Sequence, residues 1–220
     1  MSRCLVCNEE NDAKFGWLAL FQLEREKRVC ETCEKKFVKI SGPTCPVCFR
    51  PGDELCDDCL RWDEHELRGV LTRNVSIYRY NDFMKDVLAR YKFRGDAALA
   101  GIFQYEMRKA FQQHYKNGLI VPIPLSEERL FERGFNQTEL LLGGEVVQAL
   151  ERTESEKQSK KSRQERLRAI NVFQVKENVA RKSIVLVDDI YTTGMTLRMA
   201  AKVLREAGAE EVNSLTLIRG

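Results

Sequence analysis

The chain has 220 residues, with 36 Lys+Arg against 33 Asp+Glu and a formal net charge of +3. Apolar residues make up 43% and charged residues 31%, the balance of a soluble globular protein of one or two domains. A charge this small does not by itself imply nucleic-acid binding, and no run approaches the roughly 20 apolar residues of a membrane helix. The start, Met1-Ser2-Arg3-Cys4, lacks the apolar core of a secretion signal, so the expected compartment is the cytoplasm.

All eight cysteines fall between residues 4 and 59, as four Cys-x-x-Cys pairs: Cys4/Cys7, Cys30/Cys33, Cys45/Cys48 and Cys56/Cys59. Each such turn offers two thiolates to one ion, and two turns complete a tetrahedral Cys4 zinc site. Eight ligands therefore predict two zinc ions. A reducing compartment disfavours disulfides, and four tandem pairs without a βαβ context disfavour redox chemistry, the competing reading of Cys-x-x-Cys. About 60 residues have little core of their own, so metal would contribute directly to folding. Spacing leaves the grouping open. A sequential arrangement joins Cys4, Cys7, Cys30 and Cys33 in one site and Cys45, Cys48, Cys56 and Cys59 in the other. A cross-braced one joins the first pair with the third and the second with the fourth. The expected division is a zinc-binding domain over 1–65 and a larger domain over 70–220. Residues 60 to 72 read as a connector.

The alternation Val75-Ser76-Ile77-Tyr78-Arg79-Tyr80 predicts a strand. Asn81 or Asp82 then caps a helix whose stripe is Phe83, Met84, Val87, Leu88 and Tyr91. Lys92 and Arg94 at its end suit either a pyrophosphate or a solvated helix terminus. A second helix is expected over Ala97 to Lys116. Leu119 to Ser126 reads as a buried strand running into a loop, where prolines stop pairing and stiffen the turn. Arg129, Arg133 and Gly134 follow, with Arg133 a candidate phosphate ligand; surface salt bridges to Glu127, Glu128 and Glu132 are the alternative use of these arginines. A helix is expected over about Gln137 to Ala149. Residues 157–168 hold six basic residues and one acid. Such a segment, with Lys160 and Arg163 in it, fits a lid over pyrophosphate, a track for a nucleic-acid backbone or a linker. Asn171 to Val175 restarts alternation, and Val212 to Ile218 predicts a final strand.

The densest signal is Ile184-Val185-Leu186-Val187-Asp188-Asp189-Ile190-Tyr191-Thr192-Thr193-Gly194-Met195-Thr196. The apolar run predicts a strand buried on both faces, as in a parallel sheet. Ligands of such sheets bind beyond the carboxyl ends of the strands. The Thr/Gly loop presents backbone N–H groups and hydroxyls, and the helix after it adds a favourable dipole for phosphate. Asp188 and Asp189, acceptor-only when ionised, suit the neighbouring hydroxyls of a ribose. Together these predict a ribose 5-phosphate site.

This segment resembles the signature of the type I phosphoribosyltransferases, which bind phosphoribosyl pyrophosphate (PRPP). The resemblance implies an α/β fold with a parallel sheet flanked by helices. It implies Asp188 and Asp189 on the ribose hydroxyls, as the acids of the catalytic site. Tyr191, Thr192, Thr193, Gly194, Met195 and Thr196 would surround the 5-phosphate. The loop at Pro124, with Arg133, Lys160 and Arg163, would meet the pyrophosphate, and magnesium would accompany PRPP. Thr192 stands where 6-oxopurine salvage members carry an acid, so no base acceptor is implied.

Over nearly its whole length the sequence also resembles the ComFC (ComF) competence proteins. The matching elements are the cysteine-rich head, Tyr91-Lys92-Phe93-Arg94-Gly95-Asp96, Val121-Pro122-Ile123-Pro124, Arg133-Gly134-Phe135-Asn136-Gln137, the spaced Arg166, Asn171 and Phe173, and Val187 to Gly194. In most relatives the zinc cysteines correspond to Cys45 to Cys59; Cys4 to Cys33 add a second set. The family is tied to natural transformation, to single-stranded DNA entering the cytoplasm and to a DEAD-box-like ATPase, ComFA. Three functions follow from the resemblance: a DNA-uptake factor, an active phosphoribosyltransferase, or a PRPP or nucleotide sensor without turnover.

Overall fold

The computed structural model describes residues 2–11, 28–93, 95–153 and 172–220. Two short strands open the chain, β1 (Ser2–Arg3) and β2 (Glu10–Asn11), paired antiparallel. Among the described residues, two short helices follow, α1 (Glu31–Glu34) and α2 (Asp57–Asp63). The rest alternates strands and helices: β3 (Asn74–Arg79), α3 (Asp82–Phe93), α4 (Ala100–His114), β4 (Leu119–Pro122), α5 (Glu127–Arg133), α6 (Gln137–Leu142), β5 (Leu150–Arg152), β6 (Phe173–Val175), β7 (Ser183–Tyr191), α7 (Met195–Glu206) and β8 (Glu211–Arg219).

Four of these strands form a parallel sheet in the order β3-β8-β7-β4. The near-continuous apolar run of β7 has its explanation here. As an inner strand it buries Ile184 and Leu186 against one layer and Val185 and Val187 against the other. On the first face lies α7, whose Leu197, Ala200, Ala201 and Leu204 recur at helical spacing and are all buried. The opposite face takes α3, through Met84, Val87, Leu88 and Tyr91, and α4, through Phe103 and Met107. Asn81 caps α3: its Oδ1 accepts from the Met84 N–H at 2.8 Å.

The edge strand β3 is covered by the cysteine-rich segment. The Ile40 N–H donates to the Ile77 carbonyl and the Arg79 N–H to that of Val38, each at 2.8 Å. This blunts an edge that would otherwise present unpaired backbone groups. Beneath it runs a buried polar ladder. Asn74 Nδ2 donates to Ser76 Oγ at 2.8 Å, Ser76 and Thr216 share a 2.7 Å hydroxyl contact, and Asn74 Nδ2 also reaches the Cys48 carbonyl at 3.3 Å.

Two helices depart from the pattern read in the sequence. The helix expected over 97–116 begins with a 3-10 turn at Ala97–Leu99 and is α-helical only over Ala100–His114. The helix expected to reach Ala149 stops at Leu142, because Gly143 adopts φ 56°. A left-handed residue just past the last turn ends an α-helix. Its terminal carbonyls are taken by α4: Gln104 donates to the Leu140 carbonyl at 2.9 Å and Arg108 to that of Leu142 at 2.6 Å. The chain then forms the β5–β6 antiparallel pair. Between these strands lies the basic segment with Lys160 and Arg163, which falls outside the described residues.

Candidate functional site

The eight cysteines assemble sequentially. The sulfur atoms of Cys4, Cys7, Cys30 and Cys33 all lie within 4.8 Å of one another, as do those of Cys45, Cys48, Cys56 and Cys59. All eight are free thiols. Sulfur–sulfur contacts run from 3.4 Å for Cys48/Cys56 to 3.7 Å for Cys7/Cys30 and Cys45/Cys59. With Zn–S near 2.3 Å, the edge of a tetrahedral site is about 3.8 Å, so both clusters fit a structural zinc ion. The electrostatics agree. Burial pushes the Cys59 thiol up, and the adjacent Cys48 sulfur pushes it further. Burial also acts on Cys45, but the amides of Cys48, Cys56 and Val47 outweigh it and bring that thiol down to about 6. Crowded sulfurs of this kind are relieved by a divalent cation.

The second centre lies at the carboxyl end of β7. The sheet brings Asp188 and Asp189 there, with adjacent strand residues facing opposite sides. Asp189 joins the α3 face and Asp188 the other. Asp188 is half-buried and accepts from the Asp189 N–H at 2.8 Å. Asp189 is buried and ion-paired with Lys92 at 2.5 Å, the two side chains being 4% and 19% exposed. Gln137 Nε2 adds a 3.5 Å contact to the same carboxylate oxygen, and Arg133 donates to Gln137 Oε1 at 2.7 Å. Thus Lys92 is drawn into the site and is not a solvated helix end; Arg94 lies outside the described residues.

Burial, reinforced by the Asp189 charge, pushes the Asp188 carboxyl up to about 7, although Lys92 and Arg133 oppose it. A native pKa above the ordinary value means that the folded state holds this proton longer than the unfolded chain. Stability should therefore fall as pH rises from about 4 to about 7 and level off above. Asp188→Asn should flatten that decline in denaturant titrations; an unchanged slope would count against a proton held at this carboxyl.

Arg133 and Arg152 feel the charge of the acids, and Arg129 acts on both arginines. Burial lowers the Arg133 pKa, with the Asp189 charge opposing and Arg129 adding to the shift. Arg152 is lowered by burial and then by Arg129, against the pull of Asp188. Arg129 and Arg133 come from α5, which Gly134 closes at φ 73°, and Arg152 from β5. Cations beside a carboxylate pair suit a ligand with both phosphate groups and hydroxyls. Arg152 has no sequence signal, because its neighbours in the chain are polar and featureless. Pro124 is half-buried beyond β4, where the Asn136 Nδ2 and Thr138 Oγ1 atoms reach the preceding Ile123 carbonyl at 3.2 and 3.1 Å.

The loop Thr192 to Gly194 joins β7 to α7. Gly194 has φ 82°, a left-handed conformation that permits its tight entry into the helix. A Cβ here would meet Tyr191 Oη at 2.3 Å. Thr193 Oγ1 accepts from the Met195 N–H at 3.3 Å. Met195, at the first helical position, and Thr196 are exposed. The loop is backed by residues that sequence reading did not single out: Trp62, Arg198 and Arg219.

Comparison with known proteins identifies this arrangement. Residues 140–220 match the phosphoribosyl transferase domain family. The chain is 44% identical to "Competence protein ComFC" of Bacillus subtilis over 98% of its own length and 94% of that protein. It is 36% identical to the Streptococcus pneumoniae protein of the same name, over 99% and 100%. "DNA utilization protein YhgH" of Escherichia coli is 25% identical over 87% of this chain and 90% of that protein. The parallel sheet flanked by helices is thus phosphoribosyltransferase-like, and the chain belongs to the ComFC competence-protein family.

Proposed function

We propose that this protein is a cytoplasmic competence factor that binds PRPP, or a related phosphoribosyl ligand, and handles single-stranded DNA during natural transformation. The observation supporting the ligand is the meeting of Asp188, Asp189 and the Thr192–Gly194 loop at one strand end, with Lys92, Arg133 and Arg152 beside the acids. In this reading Asp188 and Asp189 accept from the ribose hydroxyls. The residues Tyr191 to Thr196 surround the 5-phosphate, while Arg133 and the turn at Pro124 meet the pyrophosphate. Lys160 and Arg163 would join them at the pyrophosphate. The twin acids supply hard oxygen donors of the kind magnesium takes, and the metal would neutralise pyrophosphate charge. Residues 1–65 form a head held by two zinc ions, and 70–220 the phosphoribosyl domain. The DNA role is supported by the names of the relatives, and a helicase-like ATPase of the ComFA type is the partner that role requires.

An active transferase is the second reading, favoured by Arg133 and Arg152 beside the acids, since they suit a leaving pyrophosphate. In it, catalysis is positioning and electrostatic stabilisation as pyrophosphate departs from the anomeric carbon. Thr192 supplies no proton, so an acceptor would have to be nucleophilic as bound.

The deciding experiment is calorimetric titration with PRPP. The double variant Asp188→Asn/Asp189→Asn should lose at least a hundredfold in affinity while keeping its fold and metal content. Equal affinity would remove the ribose assignment. Release of pyrophosphate with any member of an acceptor panel would favour the transferase.

A further inference from the structure

The back of the phosphate loop is held by Trp62 of the cysteine-rich head and Arg219 of β8. The carbonyls of three successive residues, Tyr191, Thr192 and Thr193, all accept side-chain hydrogen bonds. Arg219 NH1 donates to Tyr191 at 3.2 Å and to Thr192 at 3.0 Å, and Trp62 Nε1 donates to Thr193 at 3.0 Å. In a planar trans peptide the C=O and the following N–H point in opposite directions. Fixing these carbonyls from behind therefore turns the N–H groups of Thr192, Thr193 and Gly194 to the other side of the loop. Three such donors beside the start of α7 form an anion cradle.

Both fixing residues are anchored at the second cysteine cluster. Trp62 lies on α2, which has Cys56 at its N-cap and Cys59 within it. Its ring lies against the Arg198 guanidinium, 4.5 Å from the centroid. Arg219, only 4% exposed, also reaches Cys48 Sγ at 3.4 Å and Asp58 at 4.0 Å. Its guanidinium lies 4.8 Å from the centre of the Tyr191 ring, which itself packs under Gly194. A thiolate that accepts from Arg219 ties the loop to the metal centre in the manner of an outer-shell contact. Arg198 adds to the cradle. It is 3% exposed, and its Nε and NH1 atoms are buried without acceptors. A buried cation left uncompensated behind the loop favours an anion in front of it.

We infer that Trp62 and Arg219 are positioning residues for a sugar 5-phosphate: Trp62 of the cysteine-rich head, and Arg219 of β8 tied to that head through Cys48 and Asp58, hold the loop carbonyls so that the loop amides face the phosphate dianion. The inference rests on the phosphoribosyl reading of this site and adds a specific role for the head within it. The first tetrad has no such contact among the described residues.

The test uses the full-length, metal-loaded protein and two probes. Ribose 5-phosphate uses the loop, while inorganic pyrophosphate uses the arginine side of the site. Trp62→Phe removes the indole N–H but keeps a ring for Arg198. It should weaken ribose 5-phosphate about fivefold to tenfold, the effect of one hydrogen bond. Pyrophosphate affinity should stay within about twofold, as should metal content. In a Trp17→Phe background Trp62 is the single tryptophan, and its emission should shift with ribose 5-phosphate and not with ribose. Equal binding of ribose 5-phosphate by wild type and Trp62→Phe would overturn the inference alone. So would an equal loss for both probes, which would mark general damage. A wild-type protein that binds neither PRPP nor ribose 5-phosphate would overturn the phosphoribosyl reading and the inference together.

Discussion

Replacing Cys48 by Ser should lower the melting temperature by about 10 °C or more, while Cys7→Ser should cost only a few degrees. Wild type should carry about two zinc ions per chain and each variant about one, as two Cys4 sites imply. The asymmetry follows from what each cluster touches. Cys45, Cys48 and Cys59 are buried in the same apolar cluster as Leu71, Leu186, Leu197 and Leu204. The Asn74 side chain and Arg219 both bond to Cys48, through its carbonyl and its sulfur. Losing the second ion would leave crowded thiols inside the main core, next to the sheet. Cys7, by contrast, is exposed. Its cluster is joined to the body through Arg90, which donates to the Leu5 and Val6 carbonyls at 3.0 and 2.5 Å. Structural zinc sites contribute on the order of 10 kcal/mol in isolated fingers, and a 220-residue chain shifts by roughly 2–4 °C per kcal/mol. Only part of that energy needs to reach the core for the Cys48 effect to appear. Paired metal analysis and thermal melts decide the matter. Equal destabilisation by the two variants would mean that the second cluster is as peripheral as the first.

How much of this was legible in the sequence depends on whether the cause was local. The β7 strand, the twin acids and the left-handed turn at Gly194 are encoded within thirteen consecutive residues, and each residue type has its own physical reason there. The stripe of α3 was equally local. The grouping of the cysteines was not, because spacing alone permits both the sequential and the cross-braced arrangement. Only the course of the chain around β3 separates them. The early end of α6 was written in Gly143-Gly144, where a pair of glycines outweighed the apolar spacing that ran on through Val146, Val147 and Ala149. Lys92 could be read either way because its partner, Asp189, is 97 positions away by difference of the two residue numbers. Trp62 and Thr193 are separated by 131 positions. Nothing in the polar stretch around Trp62 distinguishes it from a connector, and only the packing of α2 against the loop gives it a role.

Lys92→Met should cost about 3 kcal/mol or more of folding free energy and also disturb the ligand site. Asp189 is 4% exposed on its side chain, and Lys92 is its ion-pair partner at 2.5 Å. Removing one member of such a pair leaves a charge without solvent or counter-ion, and that desolvation penalty exceeds what an exposed pair is worth. Gln137, at 3.5 Å, offers a neutral amide and little relief. The Asp188 carboxyl reports the same change, because Lys92 now lowers its pKa from above. Without Lys92 that pKa should rise beyond about 7, so the decline of stability with pH should extend to a higher pH than in wild type. Asp189→Asn placed on top of Lys92→Met should recover most of the loss, since the uncompensated charge is then gone. The double-mutant cycle should accordingly return a coupling of at least about 2 kcal/mol. Additive single effects would show that the two charges are solvated apart, and the acid at the back of the site would then be free to turn toward a sugar without first giving up its lysine.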